Sequence, residues 1–315
     1  MRRTRTLNMK LPLLLALGVT LGSLVSVEGQ SFLTNGLVAY YPFNGNANDA
    51  SGYGNHGVIN GALLDQDRLG QSARACYLAG TNTSYVELPD NAAFKSTEYT
   101  VSLWFQALRW PSSTEGAAML LSKGPNNFEL QVGSPVNLPN GVSGLRFWPR
   151  LTSTGGAQYW DAPAGSYVTN DWNHLVATFS PASNQVQLYL NGRQLVLSGP
   201  ATASAGADLP GPARLGTAVG GTGDRSFQGR LDEVRFYNRA LTAQEAQSIY
   251  QIESPDSDGD GLPDAYEQGY GRYEIVRGQM TWPQAKADAE ARGGHLATIT
   301  SAAEWVAIQA VLGPG

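Results

Sequence analysis

The 315-residue chain is rich in glycine (37), tyrosine (14) and tryptophan (7), and only 15% of it is charged, against about 25% in an average soluble domain. That composition excludes coiled coils and long amphipathic helices, and it excludes a charged disordered chain poor in aromatic residues. The formal net charge of −5 leaves no electrostatic footprint for nucleic acid, so a turn-rich, mostly β protein remains.

Residues 1–10 carry Arg2, Arg3, Arg5 and Lys10 without an acid, and residues 11–27 carry no charge. A basic head followed by a short apolar run and small residues reads as a secretory signal over residues 1–29. A retained membrane anchor is the other reading, but the run is at the short end for a span and contains Pro12, Gly18 and Gly22. The expectation is a secreted or cell-surface protein with no membrane span once the signal is removed. Losing four bases and Glu28 takes the net charge from −5 to −8. The single cysteine, Cys76, permits no intrachain disulfide and sits in an apolar run, as a buried small hydrophobe does.

Residues 30–252 alternate short β-like runs with turns rich in Gly, Asn, Pro and Ser. In Tyr99–Ala107 the alternation places Val101, Leu103 and Phe105 on one face and Ser102, Trp104 and Gln106 on the other. Leu145–Trp148, His174–Phe179 and Leu231–Tyr237 are further strands. Gln185–Leu190, Asn191-Gly192 and Arg193–Leu197 read as a hairpin, because Asn-Gly supplies the positive φ angles of a type I′ turn. Val186, Leu188 and Leu190 are expected to face the core, and Gln185, Gln187 and Tyr189 to look outward. A short helix is expected over Thr242–Tyr250, with Thr242 capping and Glu245 completing a capping box. Many short strands with hairpin turns predict a mainly β fold, an antiparallel two-sheet sandwich.

Within this region, GLVAYYPFNGNANDASGYGNHGVINGA, SYVELPD, YTVSLWF, WNHLVATFS, QVQLYLNGRQL and FQGRLDEVRFYNRALTAQEAQSIY resemble, in order, the laminin-G-like (concanavalin A-like) jelly-roll domains of secreted proteins. The resemblance implies two antiparallel sheets packed face to face and a binding role in most members. The bend containing Asn46, Asn48, Asp49, Ser51, Asn55 and His56 is dense in oxygen donors, which suits Ca²⁺; simple turn formation by Asn, Asp, Ser and Gly is the alternative. The resemblance implies a structural calcium at this loop, held by Asp49 and Asn55 side chains, Ser51 and His56 main-chain oxygens, and Asp232. His174 is expected to pack or hydrogen-bond within a strand.

Some proteins of this fold hydrolyse glycans with two carboxylates flanking the bond. No Glu-x-Asp-x-x-Glu arrangement exists here, and Asp232 and Glu233, being adjacent, are expected on opposite faces of their strand. Nucleophile-elbow, phosphate-loop and His-Glu-x-x-His motifs are also missing from the sequence. No enzyme activity is therefore expected. Trp148 and Trp160 are the candidate aromatic platforms for a sugar ring, whereas Trp104 and Trp172 sit inside strand motifs and belong to the interior.

Composition changes at Glu253, opening a linker over 253–269. Asp256, Asp258, Asp260, Gly261, Leu262, Asp264 and Glu267 fit the calcium-loop pattern D-x-[DN]-x-[DN]-G-x₅-E in full register. Acids at positions 1, 3 and 5 converge on one cation, Gly261 permits the sharp turn, Leu262 offers its carbonyl, Asp264 binds directly or through water, and Glu267 closes bidentately. Without a cation the five carboxylates repel one another. With no helix before Asp256 and prolines at 255 and 263, the segment resembles thrombospondin type 3 and dockerin-like single loops. In residues 270–315, Trp282–Ala285 (WPQA) and Gly293–Ile299 (GGHLATI) resemble the opening of a C-type lectin-like domain, with helices expected over Pro283–Ala291 and Ala302–Leu312. A family cysteine is replaced by Ala289, and the later strands and sugar loop are not matched, so a truncated, incomplete α+β piece is expected.

The composite reading is a secreted, non-catalytic recognition or adhesion protein that uses Ca²⁺ and binds carbohydrate or a cell-surface or matrix glycoprotein. The alternative is the accessory binding region of a longer extracellular glycan hydrolase.

Overall fold

The computed structural model describes residues 31–91, 94–111, 117–124, 127–133, 144–149, 158–163, 165–201, 210–220, 225–254 and 281–291. After the short helix α1 (Ser31–Thr34) come β1 (Leu37–Tyr41), β2 (Val58–Asn60), β3 (Leu63–Asp65), β4 (Ala75–Ala79), β5 (Tyr85–Leu88), β6 (Tyr99–Ala107), β7 (Ala117–Ser122) and β8 (Glu129–Gly133). They are followed by β9 (Leu145–Trp148), β10 (Trp160–Asp161), β11 (Trp172–Ser180), β12 (Gln185–Leu190), β13 (Arg193–Gln194), β14 (Ala213–Leu215), β15 (Gln228–Tyr237), α2 (Ala243–Glu253) and α3 (Trp282–Ala291).

Among the described residues the strands form two antiparallel sheets, consistent with a jelly-roll sandwich. The eight-stranded sheet runs β13-β12-β11-β6-β15-β4-β3, with β1 also paired to β15. The seven-stranded sheet runs β10-β9-β8-β7-β14-β5-β2. β15 holds the first sheet together: one side pairs with β6, and the other pairs with β4 near Gln228 and with β1 near Tyr237. Side chains that alternate inward from both sheets, among them Val101, Leu103, Phe105, Leu130, Val132, Leu145, Phe147, Leu188 and Leu231, make one continuous core. Cys76 lies in that core and is free, and burial pushes its thiol up to about 12.

The hairpin forms as its turn residues require: Asn191 has φ +49° and Gly192 φ +72°. β13 is shorter than expected, ending at Gln194. Tyr189 points away from the core, as expected, yet it is buried, because α2 packs across the outer face of the eight-stranded sheet. Leu37, Val176, Tyr189, Tyr237, Leu241, Ala246 and Ile249 form a second apolar cluster there, and each large side chain removed from water contributes about 1.5–3 kcal/mol. Thr242 and Glu245 form the expected capping box, and the helix continues past Tyr250 to Glu253.

Of the C-terminal piece, α3 begins one residue before the expected helix; the signal segment, the 256–267 loop and residues 302–312 lie outside the described residues. Among the described residues no helix is long and apolar enough to cross a membrane.

Candidate functional site

Among the described residues, three polar assemblies stand out in the sandwich. The first is the bend after β1. Asp49 Oδ1 accepts the backbone N–H groups of Tyr40 (2.9 Å) and Ser51 (2.8 Å), and Oδ2 accepts that of Asn55 (2.9 Å). The Asp49 N–H donates to His56 Nδ1 (3.1 Å), Asn55 Nδ2 donates to the Val38 carbonyl (2.8 Å), and the Tyr41 hydroxyl donates to the Asn55 carbonyl (2.6 Å). Burial opposes the charge on Asp49, but hydrogen bonds from Ser51, Tyr40 and Asn55 outweigh it and hold the carboxyl below the usual aspartate range.

Asp49, Ser51, Asn55 and His56 are thus brought together, and Asn55 Oδ1 is buried without a partner. An orphaned amide oxygen beside a carboxylate is the donor type a hard cation takes, but both Asp49 oxygens already accept backbone N–H bonds. Asp232, expected to close this set, does not join it: its Oδ2 pairs with Arg68 Nη1 at 2.6 Å and its Oδ1 accepts the Glu233 N–H at 2.8 Å. Beside Asp232, the Arg68 guanidinium takes the place a cation would need. Among the described residues no three His, Cys, Asp or Glu side chains gather as a metal site.

The second assembly is a buried charge network between the eight-stranded sheet and the end of α2. Asp232 and Glu233 do not take opposite faces. A bulge shifts the β15–β6 register between Asp232 and Arg235, and Glu233 adopts φ +51°, so both carboxylates reach the same cluster. Arg235 pairs with Glu253 and, at 2.7 Å, with Glu233. Arg68 Nε donates to the Glu253 carbonyl at 2.5 Å, Trp104 Nε1 donates to Glu253 Oε2 at 2.8 Å, and the Tyr40 hydroxyl donates to Glu233. His174 Nε2 meets the Ser102 hydroxyl at 3.0 Å, and its ring packs against Trp104 and Tyr250, which also stack on each other. Burial, reinforced by Arg235 and Arg68, holds His174 well below the ordinary histidine value and therefore neutral. Burial also lifts Asp232, to about 8, against the pull of Arg68. This assembly fastens α2 to the sheet.

The third assembly is the outer face of the seven-stranded sheet. Register places Glu129 of β8 between Trp148 of β9 and Ser122 of β7, and Ser122 next to Arg214 of β14, which lies opposite Glu87 of β5. In the adjoining row Gln131 lies opposite Arg146, which lies opposite Asp161 of β10. The intervening Leu130, Val132, Leu145 and Phe147 face the core, so strand alternation alone produces a polar outer face. Glu129 is only 8% exposed and accepts bonds from Gln131 Nε2 (2.9 Å) and the Ser122 hydroxyl (3.2 Å). Burial raises its pKa, with those two bonds and Arg225 opposing. Asp161 holds Arg146 bidentately at 2.6 and 2.8 Å. The Arg146 guanidinium sits 3.8 Å over the Tyr159 ring, and Tyr159 stacks on Trp148 with centroids 5.3 Å apart. Among the described residues the buried Trp148 Nε1 has no hydrogen-bond partner.

Of the two expected platforms, Trp148 lies on this face and Trp160 does not. Trp160 stands opposite Phe147 on the core side, is 7% exposed, and packs beneath Gly199, where an added Cβ would come within 2.4 Å of the indole. Sequence reasoning missed Glu129, Gln131, Arg146, Tyr159 and Asp161. The available signal was the period-2 placement of Glu129 and Gln131, and of Arg146 and Trp148, within apolar strands.

A family model described as the concanavalin A-like lectin/glucanases superfamily matches residues 80–247. Among solved structures, the chain is similar to the binding domain of Paraclostridial Mosquitocidal Protein 1 (TM-score 0.56, 18% identity, 70% of this chain and 53% of that one). It is also similar to the receptor-binding domain of botulinum neurotoxin type G (TM-score 0.52, 11% identity, 70% and 52%). Domain 4 of AbnA, an extracellular arabinanase of Geobacillus stearothermophilus solved with arabinotriose, aligns at TM-score 0.49 and 23% identity over 68% of this chain and 98% of that one. The chain spans about half the length of the mosquitocidal and neurotoxin domains it matches. No curated protein matches it.

Proposed function

The chain belongs to the concanavalin A-like lectin/glucanases superfamily, and on that premise we propose that it is a secreted, non-catalytic recognition module that binds carbohydrate on the outer face of its seven-stranded sheet. The observation that carries this reading is the Trp148–Tyr159 stack beside the desolvated Glu129. Aromatic faces take the apolar side of a sugar ring, while a few fixed polar groups orient its hydroxyls. Placing a carboxylate, an amide and a guanidinium–carboxylate pair on a buried sheet face costs free energy that a packing surface would avoid, and a carboxylate shifted by burial, as Glu129 is, marks a candidate site.

The non-catalytic part of the reading is supported by Asp161. It is held by both oxygens on Arg146 and is not free to act as the second carboxylate beside Glu129. Structural calcium is part of the proposal. The 256–267 loop would hold it through Asp256, Asp258, Asp260, the Leu262 carbonyl, Asp264 and Glu267, and the Asp49 bend would offer a second position. There the ion would supply rigidity and no chemistry.

The test is a glycan array probed with the full chain and with Trp148→Ala. Binding by the wild type that falls about ten-fold or more in the variant, the loss expected for one stacking partner, supports the reading. Equal binding by both, or silence from a folded wild type, rejects it.

A further inference from the structure

The charges on the outer face of the seven-stranded sheet cancel in pairs. Asp161 occupies Arg146 with two parallel bonds, and the Arg146 guanidinium is further covered by the Tyr159 ring. Glu87 holds Arg214 at 3.2 Å, and that guanidinium lies 4.2 Å over Tyr85. Glu129 lies in the field of the exposed Arg225. Capture of a carboxylate or sulfate by a protein normally uses an open guanidinium fork, because two parallel N–H bonds match the anion's oxygens. Among the described residues, the forks of Arg146 and Arg214 are already closed.

We infer that the face is built for uncharged oligosaccharides and turns away uronate- and sialate-bearing ones. This deepens the carbohydrate reading above, on which it rests, by assigning the ligand's charge. A ligand carboxylate seated near Trp148 lies beside Glu129, its cross-strand neighbour, and like charges in a poorly solvated site repel strongly. Arg146 and Arg214 offset that repulsion only by leaving Asp161 and Glu87, and Arg225 already acts on the Glu129 charge. A neutral sugar meets complementary groups instead. The Glu129 carboxylate accepts hydroxyl protons, and the Trp148 and Tyr159 rings take the C–H face. The chain's overall net charge of −5 adds a repulsion of the same sign at long range.

The experiment is isothermal titration of the full chain with cellotriose and xylotriose, and with trigalacturonate and 3′-sialyllactose, at one fixed ionic strength. Two variants open a fork each: Asp161→Asn frees Arg146, and Glu87→Gln frees Arg214 from a half-exposed pair whose loss leaves the core untouched. The expected result is heat from at least one neutral trisaccharide, none from the anionic ones, and trigalacturonate binding strengthened about ten-fold or more in at least Glu87→Gln. Trp148-dependent binding of an anionic sugar by the wild type, at least as tight as that of any neutral one, overturns the inference and leaves the carbohydrate reading standing. Neutral preference that survives unchanged in both variants overturns charge pairing as its cause. Silence from all four sugars overturns the carbohydrate reading and this inference together.

Discussion

Arg235 and Glu253 form a buried ion pair that joins β15 to the last residue of α2. Neither side chain is more than 9% exposed. Arg68 and Trp104 supply further bonds to the same glutamate, so the helix that roofs the eight-stranded sheet is fixed at its far end as well as at its Thr242 cap.

Removing one partner of such a pair leaves the other buried and uncompensated. Glu253→Gln is expected to lose about 3 kcal/mol or more of stability in urea unfolding. Asp65→Asn, which breaks the more exposed pair with Arg230, is expected to lose less than about 1 kcal/mol. Equal losses would remove the case for α2 as an anchored element.

The Asp49 bend sets an acid limit. Its folded carboxyl lies below the unfolded value, so its contribution is present above the unfolded pKa of about 3.9 and is lost as pH falls through the lower folded value. In chelator, Asp49→Asn is expected to cost about 1.5–3 kcal/mol at pH 7, with the gap to wild type closing toward pH 3. A gap that stays constant with pH would mean the three N–H bonds do not stabilise the charge.

Glu129 runs the other way. Its folded pKa is raised, so its contribution is present below the unfolded value of about 4.3 and is lost as pH rises through the folded one. Glu129→Gln is therefore expected to melt higher than wild type at pH 8 but not at pH 4, while binding its glycan about ten-fold more weakly through loss of a charged acceptor. A variant less stable than wild type at pH 8 would contradict the assignment of this carboxylate as a group held for binding at a cost in stability.

What the sequence disclosed was what short-range chemistry decides. Asn191-Gly192 specified a turn that only positive φ angles can make, Thr242 and Glu245 specified a helix start, and the alternation in Tyr99–Ala107 specified a core face. The Glu129 row was not legible in the same way, because its members come together through the register of β7, β8, β9 and β10, and along the chain each strand offers only one alternating pair without showing what lies beside it. The Asp232–Glu233 arrangement was misjudged because a bulge with a non-glycine residue at φ +51° carries no local signal. Trp160 was misplaced because its burial depends on pairing with β9 and on the bare Cα of Gly199, which a single strand does not reveal.

Calcium at the linker is testable by counting bound ions. The full chain is expected to take up Ca²⁺ with dissociation constants of about 10⁻⁴ to 10⁻³ M, the range of extracellular modules, and a variant carrying Asp258→Ala and Asp260→Ala is expected to lose one equivalent. Any binding left in that variant is expected to disappear with Asp49→Asn. Identical stoichiometry in wild type and the linker variant would remove the 256–267 loop from the set of cation sites.

The most direct measurement is backbone hydrogen–deuterium exchange of the full chain with and without an oligosaccharide found to bind on the array. Protection confined to Glu129–Gly133 and Leu145–Trp148 is the expected result, since those strands carry Glu129, Gln131, Arg146 and Trp148. Protection that instead falls on the Asp49 bend, on α2 or on β12 and β13, with β8 and β9 unchanged, would contradict recognition through the outer face of the seven-stranded sheet.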